Sequence, residues 1–309
     1  MKAFYSDHFV LPLPAGHRFP MEKYRLIREA AQAADPSMQF CEAPRASDGE
    51  LALAHHPRYI QAVSEGLLSE REQKQIGFPW SVQMSERSRR SAGATIAACR
   101  AALEDGISFN LAGGTHHAFS DHGEGFCVFN DAAVASRLMQ AERRVREVAI
   151  VDLDVHQGNG TAAILAADDS IFTLSLHGEN NYPFSKERSD LDMPLPDGAG
   201  DGVYLAALDD ALAQMFARFS PQLIVYLAGA DPHEGDRLGR LKLTLDGLAE
   251  RDRRVFSAAH ERGIAVAVTM AGGYGRHIAD TVSVHARTIA MAARFAALPW
   301  PLPGTVQAR

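Results

Sequence analysis

Cysteine is scarce in this chain: its 309 residues hold three, Cys41, Cys99 and Cys127. They are odd in number and lack CxxC spacing, which argues against a disulfide framework or a thiolate zinc site and suits a reducing cytoplasm. Long apolar runs are also missing. None approaches the ~20 residues that a membrane span needs. The opening Met1–Asp7 lacks the apolar stretch of a signal peptide and reads as a strand. Basic charge is not in excess either. A formal net charge of -7 gives no reason to expect nucleic-acid or anionic-membrane partners. The densest basic run, Glu86–Arg90, reads as a solvated helix face. Neither GxGxxG nor GxxxxGK[ST] occurs, so Gly158-Asn159-Gly160 before an alanine-rich helix is a weak phosphate cradle. With no internal repeat, low-complexity tract or linker, residues 1–309 are expected to form a single domain.

What the chain does have is an ordinary globular composition, 46% hydrophobic and 22% charged. Short apolar runs at Ile107–Leu111, Val148–Leu153, Ile171–Leu176, Leu223–Leu227 and Ile264–Val268 look like buried parallel strands. Helix-period segments follow at Asn130–Glu142, Gly202–Phe219 and Leu245–Glu261. This alternation predicts an α/β fold, a mostly parallel sheet with helices on both faces. Polar, ionisable and glycine residues then gather after every one of those strands. They read Ala112-Gly-Gly-Thr-His116-His117, Asp154-Val-His156-Gln-Gly-Asn159, His177 through Tyr182, Ala228-Gly-Ala-Asp231-Pro-His233 and Thr269-Met-Ala-Gly-Gly-Tyr274. The carboxyl ends of strands are where open α/β sheets bind ligands.

Asp154 and His156, two apart, point the same way from an extended chain and suit zinc. A catalytic zinc needs a third protein ligand, and Asp231 is the best candidate. Taken singly, Asp231 reads as an N-cap and Asp154 as a turn former. At matching ends of parallel strands, the metal reading is the better one. Cobalt, iron or manganese would accept the same donors. His116 and His117 beside a metal could share base and acid duties in hydrolysis, each with its other nitrogen held by an acceptor such as Asp152 or Asn159. Tyr274, on a glycine-flanked and therefore mobile turn, could donate to an oxyanion or simply pack over the sheet edge. Gly123–Asn130 supplies a Gly-Phe wall fit for an apolar slot, with Cys127 a small core residue. His55-His56, far from any strand end, reads as structural.

The ordered motifs HHAFSDHGEGFCVFND, DLDVHQGNG, LSLH, AGADPHEGDRLGRL and GGY resemble those of the zinc-dependent histone deacetylase superfamily, over about residues 4 to 280. The resemblance implies the arginase/deacetylase fold with about eight strands, and hydrolysis of acyl-lysine or a related acyl-amine. It implies Asp154, His156 and Asp231 as zinc ligands. It makes His117 the general acid–base, His116 its electrostatic partner and Tyr274 the oxyanion donor. Asp152 would back His116 and share a structural potassium ion with the backbone carbonyls of Asp154, His156, Ser175 and Leu176. Asn159 would back His117. Gly125, Phe126 and Tyr182 would line the substrate tunnel with Gly272 and Gly273, and Leu238 would stand at its rim. QGNG, GDRLG and PAGHRFPMEKY are similar to the class IV branch and its bacterial relatives. Many members carry aspartate where Asn159 stands, which implies a less basic His117 here. Leucine at 238, where polyamine-selective relatives can carry glutamate, favours acyl-lysine over acylpolyamine. The alternatives are an acylpolyamine or small-metabolite amidohydrolase, an arginase-like dimetal ureohydrolase and a non-catalytic acyl-amine binding protein. Acyl length and oligomeric state stay open.

Overall fold

In the computed structural model, which describes residues 1–300, one eight-stranded sheet organises the chain. The last residues of the expected domain, 301–309, lie outside the described residues. The strands are β1 (Lys2–Tyr5), β2 (Gln39–Glu42), β3 (Ile107–Asn110), β4 (Val148–Asp152), β5 (Ile171–Gly178), β6 (Leu191–Leu195), β7 (Leu223–Leu227) and β8 (Ala265–Thr269). They lie in the order β2-β1-β3-β8-β7-β4-β5-β6, and every pairing is parallel.

Successive side chains of a strand point to opposite faces, and here both faces are buried. Val148 and Ile150 of β4 enter one core, whereas Ala149 and Val151 enter the other. That is why the central strands read as unbroken apolar runs. Among the described residues, ten helices surround the sheet: α1 (Lys23–Ala34), α2 (Asp48–Leu51), α3 (Pro57–Glu65), α4 (Glu70–Ile76), α5 (Val82–Asp105), α6 (Asp131–Ala141), α7 (Asn159–Leu165), α8 (Asp201–Arg218), α9 (Leu245–His260) and α10 (Ile278–Ala296). α3, α5 and α6 cover the Val148 face; α1, α8, α9 and α10 cover the other.

The chain leaves β4 towards β5 on one side and leaves β7 towards β8 on the opposite side. Their loops therefore part and open a crevice, the usual ligand position in such sheets. Register places the two strand ends level, with Asp152 opposite Leu227 on β7 and Ser175 on β5.

The two edge strands β2 and β6 escape the sequence reading. They are short, partly exposed, and β6 contains Pro194, which only an edge position tolerates. The basic run on α5 is a correction. Arg87 and Arg89 are buried rather than solvated. Arg87 donates to the carbonyls of Ser6 and Phe9. Arg89 donates to Ala46 O and Ser64 Oγ and pairs with Asp48. Buried carbonyls of the covering segments need donors, and the long guanidinium stems supply them. His56 caps α3, and the ring of buried His55 accepts the N–H of Asn130 at 2.8 Å. Both placements are structural.

Candidate active site

β4 ends at Asp152, so Asp154 and His156 stand in the turn that follows and not on an extended strand. The turn is closed by the His156 N–H donating to Asp154 Oδ1 at 3.0 Å, and it still brings both side chains to one point. Asp231 joins them from the loop after β7, its Oδ1 accepting from Val155 N at 2.9 Å. One ligand atom from each of the three lies within 4.8 Å of the others.

The arrangement calls for a cation. Asp231 is fully buried, yet its Oδ2 has no hydrogen-bond partner. Burial first, then the charge of Asp154, push its carboxyl up to about 7. Burial alone would lower His156, but Asp154 and Asp231 more than offset it and hold the imidazole up to about 10. Two carboxylates thus share one positive charge, which a divalent ion would supply while leaving the histidine neutral. The O, N, O donor set fits zinc.

Gly272 makes room for this cluster. Its N–H donates to Asp154 Oδ2 at 2.7 Å, and a Cβ there would sit 1.9 Å from Asp231 Oδ2 and 2.5 Å from Asp154 Oδ2. Only glycine lets the backbone approach so closely.

The two imidazoles arrive from the loop after β3. Gly113 and Gly114 turn it with φ of 77° and 72°. Buried Asp131, at the start of α6, accepts from the N–H groups of Gly114 (2.9 Å) and Thr115 (2.8 Å). His116 and His117 then lie with ring centroids 4.1 Å apart, and their environments differ. His116 Nδ1 meets Asp152 Oδ2 at 2.7 Å. Burial opposes its charge, but Asp152 and Asp154 raise it to about 9. His117 Nδ1 meets Asn159 Oδ1 at 2.7 Å. Burial, followed by the neighbouring His116 and His156, holds it well below the ordinary histidine value. One ring favours the cation and the other the neutral base.

Of these groups, Asp154, His156, His116 and His117 line a cavity of about 480 Å³, together with Gly125, Phe126, Tyr182, Leu238, Gly272 and Tyr274. Gly273, expected on the same wall, faces the other way, with a Cβ position 2.7 Å from Thr281 and 3.1 Å from Ala230. The expected mobility of Tyr274 is not found. The residue is buried, its N–H donates to Asp236 Oδ2 at 2.6 Å, and its carbonyl accepts from Arg237 Nε at 3.0 Å. Burial raises its phenol well above the ordinary value, so the hydroxyl keeps its proton and can donate it. Cys127 is buried, and burial pushes its thiol up, against a nucleophilic role.

Three supporting residues were not singled out from the sequence. Asp131 pins the histidine loop. Asp236 fixes both the Tyr274 loop and the rim, since its Oδ1 also accepts from Leu238 N at 2.7 Å. Glu124 accepts a hydrogen bond from Asn159 Nδ2 at 2.6 Å. All three lie in the motifs quoted above, Asp131 at the end of HHAFSDHGEGFCVFND, Asp236 in GDRLG and Glu124 as the lone acid of the Gly-Phe wall, but spacing alone assigned none of them a role.

A model of the histone deacetylase domain matches residues 17–289. The chain belongs to the histone deacetylase family. It is 42% identical over 285 residues to an uncharacterized protein of Picosynechococcus sp., a match covering 91% of this chain and 94% of that one. It is 32% identical to the histone deacetylase-like amidohydrolase of Pseudomonas aeruginosa, over 85% of this chain and 74% of the other. The crystal structure of a deacetylase homolog from Aquifex aeolicus superposes with a TM-score of 0.80 at 23% identity, covering 94% of this chain and 83% of that one. This likeness shows that the α/β sheet described above is the family's arginase/deacetylase fold. No helix among the described residues of this family member is long and apolar enough to cross a membrane.

Proposed function

We propose that this histone deacetylase family member is a hydrolase that removes acyl groups from acyl-lysine or a related acyl-amine with one zinc ion. The observation that carries the reading is the buried cluster Asp154, His156 and Asp231, two members of which, Asp154 and His156, line one cavity with two imidazoles that have different partners. Zinc held there would supply a Lewis acid for the acyl carbonyl and acidify the attacking water. His117, with Nδ1 tied to Asn159, offers Nε2 to take the water's proton and pass it to the departing amine. His116, backed by Asp152, holds positive charge beside the developing oxyanion. Tyr274 donates its hydroxyl to the same oxygen. Asp152 and Ser175 face one another across β4 and β5, where a potassium ion held with the carbonyls of Asp154, His156, Ser175 and Leu176 would brace this strand end.

The body bearing the amine is read as a lysine peptide in preference to a polyamine. Apart from Asp154, the charged side chains on the cavity wall are all cations: Arg18, Lys23, Lys74, Arg87 and Arg240. They repel a polycationic substrate, as does the absence of a carboxylate at Leu238. An arginase-like dimetal site finds less support, because His233 Nδ1 turns aside to accept Gly235 N–H at 3.2 Å. The three cysteines are free, which supports the cytoplasmic placement.

The test is kcat and KM for a fatty-acyl or acetyl lysine peptide against an acylated polyamine, with wild type and Tyr274→Phe. Turnover should favour the peptide, and loss of the hydroxyl should lower kcat by about 10²–10³. An unchanged kcat in Tyr274→Phe would remove the tyrosine from the mechanism.

A further inference from the structure

We propose that Glu124 is a positioning residue: its carboxylate fixes the amide of Asn159, and through that amide the tautomer of His117. Three hydrogen-bonding groups lie in series. Glu124 Oε1 is 2.6 Å from Asn159 Nδ2, and Asn159 Oδ1 is 2.7 Å from His117 Nδ1.

The direction of each bond follows from donor chemistry. An ionised carboxylate can only accept, so it faces the NH₂ end of the amide. The amide oxygen is thereby turned to His117, and an oxygen acceptor requires Nδ1 to carry the hydrogen. A neutral ring protonated at Nδ1 keeps its lone pair on Nε2, the nitrogen a general base must use. Without Glu124, asparagine can present its NH₂ to the ring as readily as its oxygen. That arrangement would move the ring hydrogen to Nε2 and leave no base for the attacking water.

Glu124 is itself held for this task. Gln75 Nε2 donates to Oε2 at 3.2 Å. The loop after it is pinned by Gly125 N donating to Gln75 O (3.2 Å) and Phe126 N donating to Ile76 O (2.7 Å). Tyr182 stands edge-on to His117, with ring centroids 4.9 Å apart, and Gln75 lines the same cavity, so through Gln75 one carboxylate ties the cavity wall to the partner of the base. The negative charge absent at position 159 is thus supplied one hydrogen bond further out.

This changes what Asn159→Asp should do. With Glu124 present, an aspartate at 159 sets two carboxylates in direct contact, and one of them must move away or take a proton. With Glu124 removed, an aspartate at 159 would by itself demand Nδ1–H.

The kinetic arm of the test rests on reading His117 as the acid–base; the spectroscopic arm does not. On an acyl-lysine peptide, Glu124→Ala should lower kcat by about 10–100-fold, the range for partners that orient a catalytic imidazole, with KM little changed. Asn159→Asp alone should also be slower than wild type. The double variant Glu124→Ala/Asn159→Asp should recover most of the lost kcat. An unchanged kcat in Glu124→Ala, or single losses that merely multiply in the double variant, would overturn the proposal. Long-range ¹H–¹⁵N spectra of the zinc-loaded protein, assigned against His117→Gln, should show His117 as the Nδ1–H tautomer in wild type. In Glu124→Ala the Nε2–H form should appear. Nε2–H in wild type, or no change in the variant, sinks the idea even if no substrate turns over. Should Glu124→Ala fail to fold, Glu124→Gln keeps the shape while allowing its amide to donate or accept, and a mixed tautomer is expected.

Discussion

Gly272→Ala should strip the proposed zinc site of its metal, although glycine contributes no ligand. The added methyl group would lie 1.9 Å from Asp231 Oδ2 and 2.5 Å from Asp154 Oδ2, well inside van der Waals contact. Neither carboxylate can retreat easily. Asp231 is held through Oδ1 by Val155 N, and Asp154 is held by the His156 N–H and by Gly272 itself. The expected outcome is a fall in zinc affinity of about 100-fold or more, at or beyond the upper end for residues that support metal ligands, with deacylase activity falling in parallel. Zinc content by elemental analysis after dialysis checks it. Retention of zinc at the wild-type level would mean that these carboxylates do not hold the metal.

His117→Gln should separate the base from the metal. Glutamine keeps a polar group near Asn159 but has no ring nitrogen to carry a proton. kcat should drop by about 10²–10⁴, the usual share of a general acid–base, while zinc content stays at the wild-type value. His116→Gln should cost less, because His116 is read as holding charge and not as transferring protons. Equal losses in the two variants would contradict this division of labour. So would loss of metal from His117→Gln, which would recast His117 as a ligand.

Fold and site were legible in the sequence to different depths. The central strands β4, β5, β7 and β8 announced themselves, because burial on both faces leaves no choice but apolar residues. Edge strands β2 and β6 did not, since their exposed sides tolerate polar residues and proline. Asp154, His156 and Asp231 could be singled out because carboxylates and imidazoles at the ends of apolar strands are costly to bury unless a cation or a hydrogen-bond partner meets them. Their geometry was less accessible. Asp154 and His156 meet through a turn, and Tyr274 is clamped by Asp236 and Arg237 where its flanking glycines suggested movement. Such clamps depend on contacts far apart in the chain, as between Asp236 and Tyr274, and spacing alone does not reveal them. Asn159 shows the same limit. Its missing charge was visible in the sequence, and the compensating carboxylate of Glu124 was visible only once the loops were brought together.

On the proposed mechanism, a single zinc ion held by Asp154, His156 and Asp231 serves amide hydrolysis. Its most direct test is to remove metal with a chelator and titrate zinc back while following kcat/KM on an acyl-lysine peptide. The expected result is loss of activity and its linear return to a plateau at one equivalent per chain, with no such return for Asp231→Asn. Hydrolysis that survives chelation, or a plateau reached only at two equivalents, would contradict it.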